Sequence, residues 1–418
     1  MTPRHSPLAN ACYRRLFGAQ VIALLGTGLT TVALTLLAYD LAEENAGAVV
    51  GIALALKMVV YVFGAPLITA LAARLPRRRL LVTLDLLRAG SVVAMLFVTE
   101  VWQVYALIVL VNACSAGFTP TFQATIPDVL DDEPTYARAL SLSRLAYELE
   151  ALLSPALAAA MLTVIAYDGL FAANGVAFLC SAALVVSTRL PARRPAPTAE
   201  SWWARLSVGT RLYLATPRLR GLLALNVAVA AASATVIVNT VVYVRDQFGR
   251  GAGDVAWALG ASGAGAMVAA LALPRLLRLV SDRSTMLAGA LLLVVGLALS
   301  ALVDGFGALL VVWLALGVGL SLVQTPSALL VRRSGSAEER PALFAAQFSL
   351  SHACWLATYP IAGVLGSTLG LPATAFLLAA LAAGAVALAA LAWPAPDRQA
   401  RPTSDTARPT GRFRPAPS

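Results

Sequence analysis

Twelve apolar runs, each about as long as a membrane-crossing helix, follow one another along the 418-residue chain. A helix rises about 1.5 Å per residue, so roughly 20 apolar residues cross the hydrocarbon core of a bilayer. Because lipid offers no partners to backbone polar groups, each run is predicted to be an α-helix. We therefore predict an all-α membrane protein. The predicted spans are 16–39, 47–71, 80–98, 101–124, 139–166, 170–188, 220–243, 254–274, 285–302, 306–326, 342–367 and 371–393.

Composition agrees with lipid as part of the solvent. The chain is 59% hydrophobic and 12% charged, whereas a soluble domain carries about 25% charged residues. The net charge of +10 could suggest a nucleic-acid partner. The arginines lie in short loops, however, without the aromatic residues of a base-stacking face, so no nucleic-acid partner is expected. The cysteines have no paired spacing, and we expect neither disulfides nor a metal knuckle among them. They are Cys12, Cys114, Cys180 and Cys354.

Loop charges predict the orientation in the membrane. Alternate loops hold arginine clusters such as 74–79 and 189–220, whereas the opposite loops hold mostly aspartate and glutamate. Positive residues resist translocation, so the arginine-rich loops and both termini are predicted to be cytoplasmic. The polar segment Met1–Arg15 leads into the first run without a small-residue cleavage site, and we expect a retained helix there. A multi-pass protein of the bacterial inner membrane is the resulting prediction.

The chain divides into two halves of six spans. The longest polar insertion, 189–219, separates an N-terminal bundle (1–188) from a C-terminal bundle (220–393), and a predicted disordered tail follows at 394–418. The halves echo each other. Thr119-Pro120 and Thr325-Pro326 each close a predicted span, and the segments 141–144 and 349–352 both begin Ser-Leu-Ser. Repeated bundles of this kind are typical of secondary transporters, with the site between the halves near the midplane.

Two segments carry a resemblance of this sequence to the major facilitator superfamily, and the resemblance covers about residues 12–393. The loop 72–79 resembles the signature loop of that family, although Ala73 stands where the family has aspartate. In the family this aspartate helps to lock the halves together on the cytoplasmic side. Residues 154–159 resemble a motif of proton-coupled exporters, with small residues in place of its glycines. The resemblance implies two pseudo-symmetric six-helix bundles and proton-coupled efflux, as in an antiporter, of a small amphiphilic molecule or drug.

A narrower resemblance leaves other substrates open. The segments 126–130, 138–144 and 341–347 resemble the branch that contains enterobactin-type siderophore exporters and nickel-resistance exporters. Nickel or another divalent cation, or a siderophore, is therefore an alternative substrate. Members of the nickel group commonly carry a histidine-rich tail, and this tail has no histidine.

Other function classes fit less well. The chain has no clustered catalytic groups and no GxxxxGK[ST] loop, which argues against a membrane enzyme and an ATP-driven pump. A non-transporting receptor would not need an ionisable group in mid-membrane, and Lys57 speaks against it. We expect a monomer without a cofactor, whose partners are the bilayer, protons and a small-molecule or cation substrate.

Four ionisable residues are candidates for proton coupling or substrate binding. Lys57 is the only lysine and lies near the middle of span two, where an ionisable group is costly and usually faces a cavity or a partner. Glu148 and Glu150 lie roughly 20 Å along a helix that begins near Thr135, close to the cytoplasmic edge of the hydrocarbon. Glu148 is spaced to pair with Arg144, whereas Glu150 points elsewhere and is the better proton carrier.

His352 is the fourth candidate, as a proton relay or a cation ligand, although a lone helical histidine is more often a packing residue. A nickel site would need several converging ligands, and Glu150, His352 and Gln347 are the only plausible set. The candidate gate residues are Arg74, Arg77, Asp85, Arg88 and Arg144. The candidate polar residues of the cavity, which could equally bridge helices, are Asn112, Asn226, Asn239 and Gln324.

Overall fold

The computed structural model describes residues 6–42, 46–72, 75–190 and 202–393. Within these ranges every regular element is a helix, and the predicted all-α fold is confirmed. The long helices are α1 (Ala11–Ala42), α2 (Ala46–Leu71), α3 (Arg77–Ala94), α4 (Val101–Val129), α5 (Glu133–Leu162), α6 (Tyr167–Val186), α7 (Trp202–Ala215), α8 (Pro217–Ala234), α9 (Ala252–Leu279), α10 (Asp282–Ser300), α11 (Phe306–Arg332), α12 (Arg340–Thr368) and α13 (Leu371–Ala392).

Eleven of the described helices are long and apolar enough to cross a membrane. They are α1 to α6, α8 to α11 and α13, and α8 continues through π-helical turns at Thr235–Asn239 and Val242–Gln247. The remaining predicted span, 342–367, corresponds to α12, which has 29 residues but carries several polar side chains in its first half. The predicted tail at 394–418 lies outside the described residues, as does 191–201 of the predicted linker.

Several helix ends differ from the prediction. Helix α5 begins at Glu133, before the apolar run at 139 and two residues before the predicted helix start near Thr135. The Asp132 side chain caps it by accepting a hydrogen bond from the Thr135 amide at 3.0 Å. The prolines expected to close spans four and ten, Pro120 and Pro326, lie inside α4 and α11. Neighbouring helices in a bundle can satisfy the backbone groups that such a proline frees, so the helix continues.

Helix α7 lies in the predicted linker and packs against α2 and α12. The fully buried Tyr213 donates a hydrogen bond from its hydroxyl to Gln347 on α12. A side chain at Gly209 would place its Cβ 2.8 Å from the Ala342 carbonyl carbon, so α7 and α12 touch backbone to backbone. We call the end of the bundle at which α7 lies the linker end, and the opposite one the far end.

The two halves, α1–α6 and α8–α13, meet along two helix pairs. Helix α2 packs on α12 and α5 packs on α9, and contacts of α4 with α12 and of α5 with α11 add to these. The extra contacts are made near the linker end, where α4 and α11 finish and α5 and α12 begin. The halves therefore close on each other at the linker end of the bundle.

Candidate functional site

Glu150 lies near the middle of α5 and packs against α1 at Gly28, which has no side chain. The 30-residue helix is about 45 Å long, and Glu148 and Glu150 lie near its mid-length. Glu150 Oε1 accepts a hydrogen bond from Ser154 Oγ at 3.3 Å. Gly28 on α1 makes room for this pair, since a Cβ there would lie 2.5 Å from Glu150 Oε1. The carboxylate is thus wedged between two helices of the N-terminal half.

Lys57 lies at mid-length of α2 and is partly exposed. Its ammonium is 5.6 Å from the centre of the Tyr61 ring, a cation–π arrangement. The same Tyr61 ring lies 4.9 Å from the His352 ring, centre to centre, and Glu150 of α5 lies within electrostatic range of Lys57. Three of the four predicted coupling residues, carried by α2, α5 and α12, therefore belong to one neighbourhood at the middle of the bundle.

His352 lies in an aromatic enclosure on α12. Its ring centre is 4.1 Å from that of Phe348, 4.8 Å from Trp355 and 4.9 Å from Tyr61. Nδ1 is 2.7 Å from the Phe348 carbonyl oxygen, so one ring nitrogen already has a backbone partner. Because Tyr61 belongs to α2, the ring helps to join the two halves.

Arg144 connects three elements. It forms an ion pair with Glu148 one turn along α5 and donates a hydrogen bond to Oε1 of Gln324 on α11. Glu148 in turn faces Gly263 of α9, where a Cβ would lie 3.6 Å from its Oε2. The pair is partly exposed and lies between the halves, and Arg144 links it to the C-terminal half through Gln324.

Ion pairs close the linker end. Asp128, at the end of α4, pairs with Arg77 of its own half and accepts a hydrogen bond from Arg340 of α12 at 3.0 Å. Arg333 binds both Glu133 and Asp282. The hydrogen bond with Glu133 raises the pKa of the Arg333 guanidinium, so this cation keeps its charge.

Arg332 adds to this closure by donating to the Asp131 carbonyl at 2.8 Å. Its guanidinium also lies 4.9 Å from the centre of the Tyr136 ring. The predicted gate residue Arg74 and its neighbour Ala73 lie outside the described residues.

Asp85 and Arg88 form an ion pair, but inside the N-terminal half rather than at the closure. Ser181 of α6 donates to Asp85 Oδ2 at 2.8 Å. The guanidinium of Arg88 lies 4.1 Å from the ring centre of Phe118 and 4.5 Å from that of Phe178. The pair therefore joins α3, α4 and α6. It was predicted at the gate between the halves, but it lies inside the N-terminal half.

A cavity of about 90 Å³ lies beside this pair, between α1, α4 and α5. Its polar lining is formed by Arg88 together with neutral amide and hydroxyl groups. Gln20, which is largely buried, accepts a hydrogen bond from Ser143 at 3.0 Å at the wall of the cavity. Other lining residues are Thr27, Thr119, Gln123 and Tyr147.

The predicted asparagines have varied surroundings. Asn112 donates to the Ile108 carbonyl of its own helix at 2.8 Å. Asn226 is buried in α8, and its Nδ2 has no hydrogen-bond partner within the described part of the chain. Asn239 is buried beside Gly366, where a Cβ would lie 3.3 Å from its Oδ1. Of the four predicted polar residues, Gln324 contacts another predicted site residue.

The structure does not gather a metal ligand set. Across the described ranges, no group of three or more His, Cys, Asp or Glu residues could hold a metal ion. Gln347, a predicted ligand, instead accepts the hydrogen bond of Tyr213.

Tyr61, Ser154, Asp128 and Arg340 were not predicted as site residues from the sequence. The spacing of Ser154 four residues after Glu150 was a readable signal for the pair. The other contacts join different helices and leave no local pattern.

Comparison with known proteins gives one family. The family model described as Major Facilitator Superfamily matches residues 16–233 and 222–417. No curated protein matches the sequence. The fold is similar to that of the human organic anion transporter MFSD10 (TETRAN), with 14% identity over 91% of this chain and 99% of that chain and a TM-score of 0.79.

It is also similar to the major facilitator transporter FucP in the outward conformation, with 14% identity over 91% of this chain and 98% of that chain and a TM-score of 0.70. A further structure of FucP, described as the E. coli fucose:proton symporter, gives the same identity and TM-score. At this identity the likeness shows the fold alone. The narrower resemblance to siderophore and nickel exporters finds no support in these matches.

Proposed function

This chain belongs to the Major Facilitator Superfamily, and we propose that it is a proton-coupled exporter of a small amphiphilic molecule. The observation that carries the proposal is the placement of Lys57, Glu150 and His352 at the middle of the bundle, where Lys57 and His352 contact the same Tyr61 ring and Glu150 is held between α1 and α5. Ionisable groups at that depth are costly and mark substrate or proton pathways. They lie between two halves that close on each other at one end, as alternating access requires.

The positive-inside pattern supports a cytoplasmic linker end. The residues that close it include Arg77, Arg333 and Arg340, and arginine is retained on the cytoplasmic side. Closure at that end leaves the far end as the side from which the midplane groups are reached. This corresponds to an outward-facing state of a carrier.

Glu150 is our candidate for the proton site. Its carboxylate has a neutral hydroxyl partner in Ser154 and interacts with the charge of Lys57. Glu148, by contrast, is held in an ion pair with Arg144. Protonation of Glu150 removes a negative charge near Lys57. The electrostatic potential at His352, in the other half, changes as a result. One of the similar structures is named a fucose:proton symporter, which is consistent with proton coupling in this fold.

An amphiphilic substrate fits the spans better than a metal cation. The helices are mostly apolar, with a few polar groups that could orient a ligand. Nickel would need several converging ligands, and the described residues hold no such group of three. The nickel and siderophore alternatives rest on the likeness of short segments alone.

The proton role of Glu150 is tested with two matched variants in proteoliposomes. Carboxyfluorescein and ethidium serve as anionic and cationic probes, and flux is measured with and without an imposed pH gradient. We expect the gradient to accelerate flux of at least one probe through the natural protein. Glu150→Gln should lose this acceleration. Glu148→Gln should lower the rate of flux, but the pH gradient should still accelerate it. An undiminished gradient response in Glu150→Gln would contradict the assignment, and no flux of either probe in the natural protein would contradict the choice of an amphiphilic substrate.

A further inference from the structure

Among the described residues, a single charged one lines the cavity beside Asp85 and Arg88. It is Arg88 of α3, and the other polar groups of the walls are amides and hydroxyls from α1, α4 and α5. Asp85 is fully buried and is not part of the lining. A ligand that enters the cavity therefore meets the cation of the pair and not the anion.

Arg88 has hydrogen-bonding capacity to spare. It is 5% exposed, and one terminal nitrogen donates to Asp85. Its Nε is buried and has no hydrogen-bond partner within the described part of the chain. A guanidinium carries five N–H donors in a planar fork that matches a carboxylate. Leaving a buried donor unpaired is unfavourable, so an acceptor group brought in by a ligand would stabilise this site.

Aromatic rings direct how an acceptor can approach. Phe118 and Phe178 lie against the guanidinium of Arg88, at 4.1 and 4.5 Å from their ring centres. The edge of the guanidinium plane therefore remains for hydrogen bonds. Phe118 and Phe122 stack at 5.8 Å and both line the cavity, so an aromatic or apolar body has a surface to pack on.

We propose that this cavity binds the carboxylate of a small aromatic anion, with Arg88 as its anchor. The inference rests on the proposed function, because it names the class of molecule that the transporter takes. The Gln20 amide nitrogen and the Tyr147 hydroxyl, both neutral lining groups, can donate to oxygen atoms without adding charge. A volume of about 90 Å³ suits a compact group, with the remainder of a larger molecule outside the cavity.

The first test compares three probes of similar size on the purified full-length protein in detergent. Benzoate, benzyl alcohol and benzylammonium differ in charge, and binding is measured by calorimetry. A charge-assisted hydrogen bond that is made with one probe and not the others corresponds to roughly 10- to 100-fold in affinity. We expect benzoate to bind at least about 10-fold tighter than the other two. Equal affinities for benzoate and benzyl alcohol would overturn the proposal.

The second test removes the anchor without leaving a lone buried charge. The double variant Asp85→Asn/Arg88→Gln keeps the site neutral, and Thr119→Leu narrows the cavity while the ion pair stays. Both should weaken benzoate binding by about 10-fold or more. Arg79→Gln, at an exposed position on the same helix, should not change it. Benzoate binding at natural strength in Thr119→Leu, or in a folded double variant, would show that the cavity is not the site.

Folding is followed by thermal unfolding and size exclusion. If the double variant does not fold, the probe series and Thr119→Leu decide. Binding is measured without a membrane or a gradient, so its outcome is separate from that of the flux experiment. Benzoate binding without gradient-driven flux would sink the transport proposal alone, and gradient-driven flux without selective benzoate binding would sink the anion site alone.

Discussion

Gly28 is the position at which a single added methyl group should disturb Glu150 and Ser154 directly. Its Cβ in a Gly28→Ala variant would lie 2.5 Å from Glu150 Oε1 and closer still to Cβ and Oγ of Ser154. Non-bonded carbon contacts are comfortable at about 3.5 Å. The Glu150 carboxylate can rotate away, but the Ser154 Cβ is fixed to its backbone, so α1 and α5 must separate by roughly 1 Å.

The cost can be estimated from known substitutions. Overpacking of this kind costs about 1–3 kcal/mol, and alanine in place of glycine within a helix returns about 0.5–1 kcal/mol. We therefore expect a net loss of about 1–2 kcal/mol in the free energy of unfolding. Gradient-driven transport should be lost as well, because Glu150 is displaced.

Thermal unfolding of the purified protein and flux in proteoliposomes measure the two effects. Gly90→Ala is the matched control, since nothing lies within 4 Å of a Cβ at that helical position. Adding Ser154→Gly to Gly28→Ala removes the clashing atoms and should restore part of the stability. If Gly28→Ala were as stable and active as Gly90→Ala, the close approach of α1 and α5 at Glu150 would be wrong.

Two further substitutions address the linker end. Arg340→Ala removes the 3.0 Å hydrogen bond to Asp128. The equilibrium constant for opening of the linker end should rise roughly 5-fold, which corresponds to about 1 kcal/mol. Backbone amides of residues 129–136 should then exchange hydrogen faster. Arg220→Ala, exposed on α8, should leave that exchange unchanged, and equal rates in both variants would refute a closing role. Tyr213→Phe leaves Gln347 without its donor and should lower stability by about 1 kcal/mol in thermal unfolding, compared with Tyr105→Phe on α4. No difference between the two tyrosine variants would mean that α7 is not held by this bond.

The fold was predictable because the bilayer constrains every span separately. Each helix must be long and apolar, and that requirement is visible in one stretch of sequence at a time. The start of α5 lies two residues before the predicted one near Thr135, because the helix begins at its Asp132 cap and not where the apolar run begins. Helix α7 was missed because its burial depends on α2 and α12, which are distant in sequence.

Site contacts between residues that are close in the chain could be predicted from the sequence, and contacts between distant residues could not. Arg144 and Glu148 are four residues apart, so their pairing could be read from spacing. The bonds from Arg144 to Gln324 and from Arg340 to Asp128 join residues 180 and 212 positions apart. Such contacts depend on how the two halves are placed against each other, which no local pattern records.

Movement of the two halves about the midplane is the central claim, and paired distances test it most directly. Spin labels at Arg79 and Arg278, exposed on α3 and α9, report on the linker end. Labels at the exposed residues Trp102, in the first turn of α4, and Leu302, just after α10, report on the far end. Both pairs are placed in a cysteine-free background, with and without Arg333→Ala/Arg340→Ala.

Pulsed electron–electron double resonance on the reconstituted protein measures the two distance distributions. We predict that the double variant lengthens the linker-end distance and shortens the far-end distance, because loss of the ion pairs shifts the population toward opening at the linker end. Distances that stay unchanged, or that lengthen at both ends, would contradict alternating access in this protein.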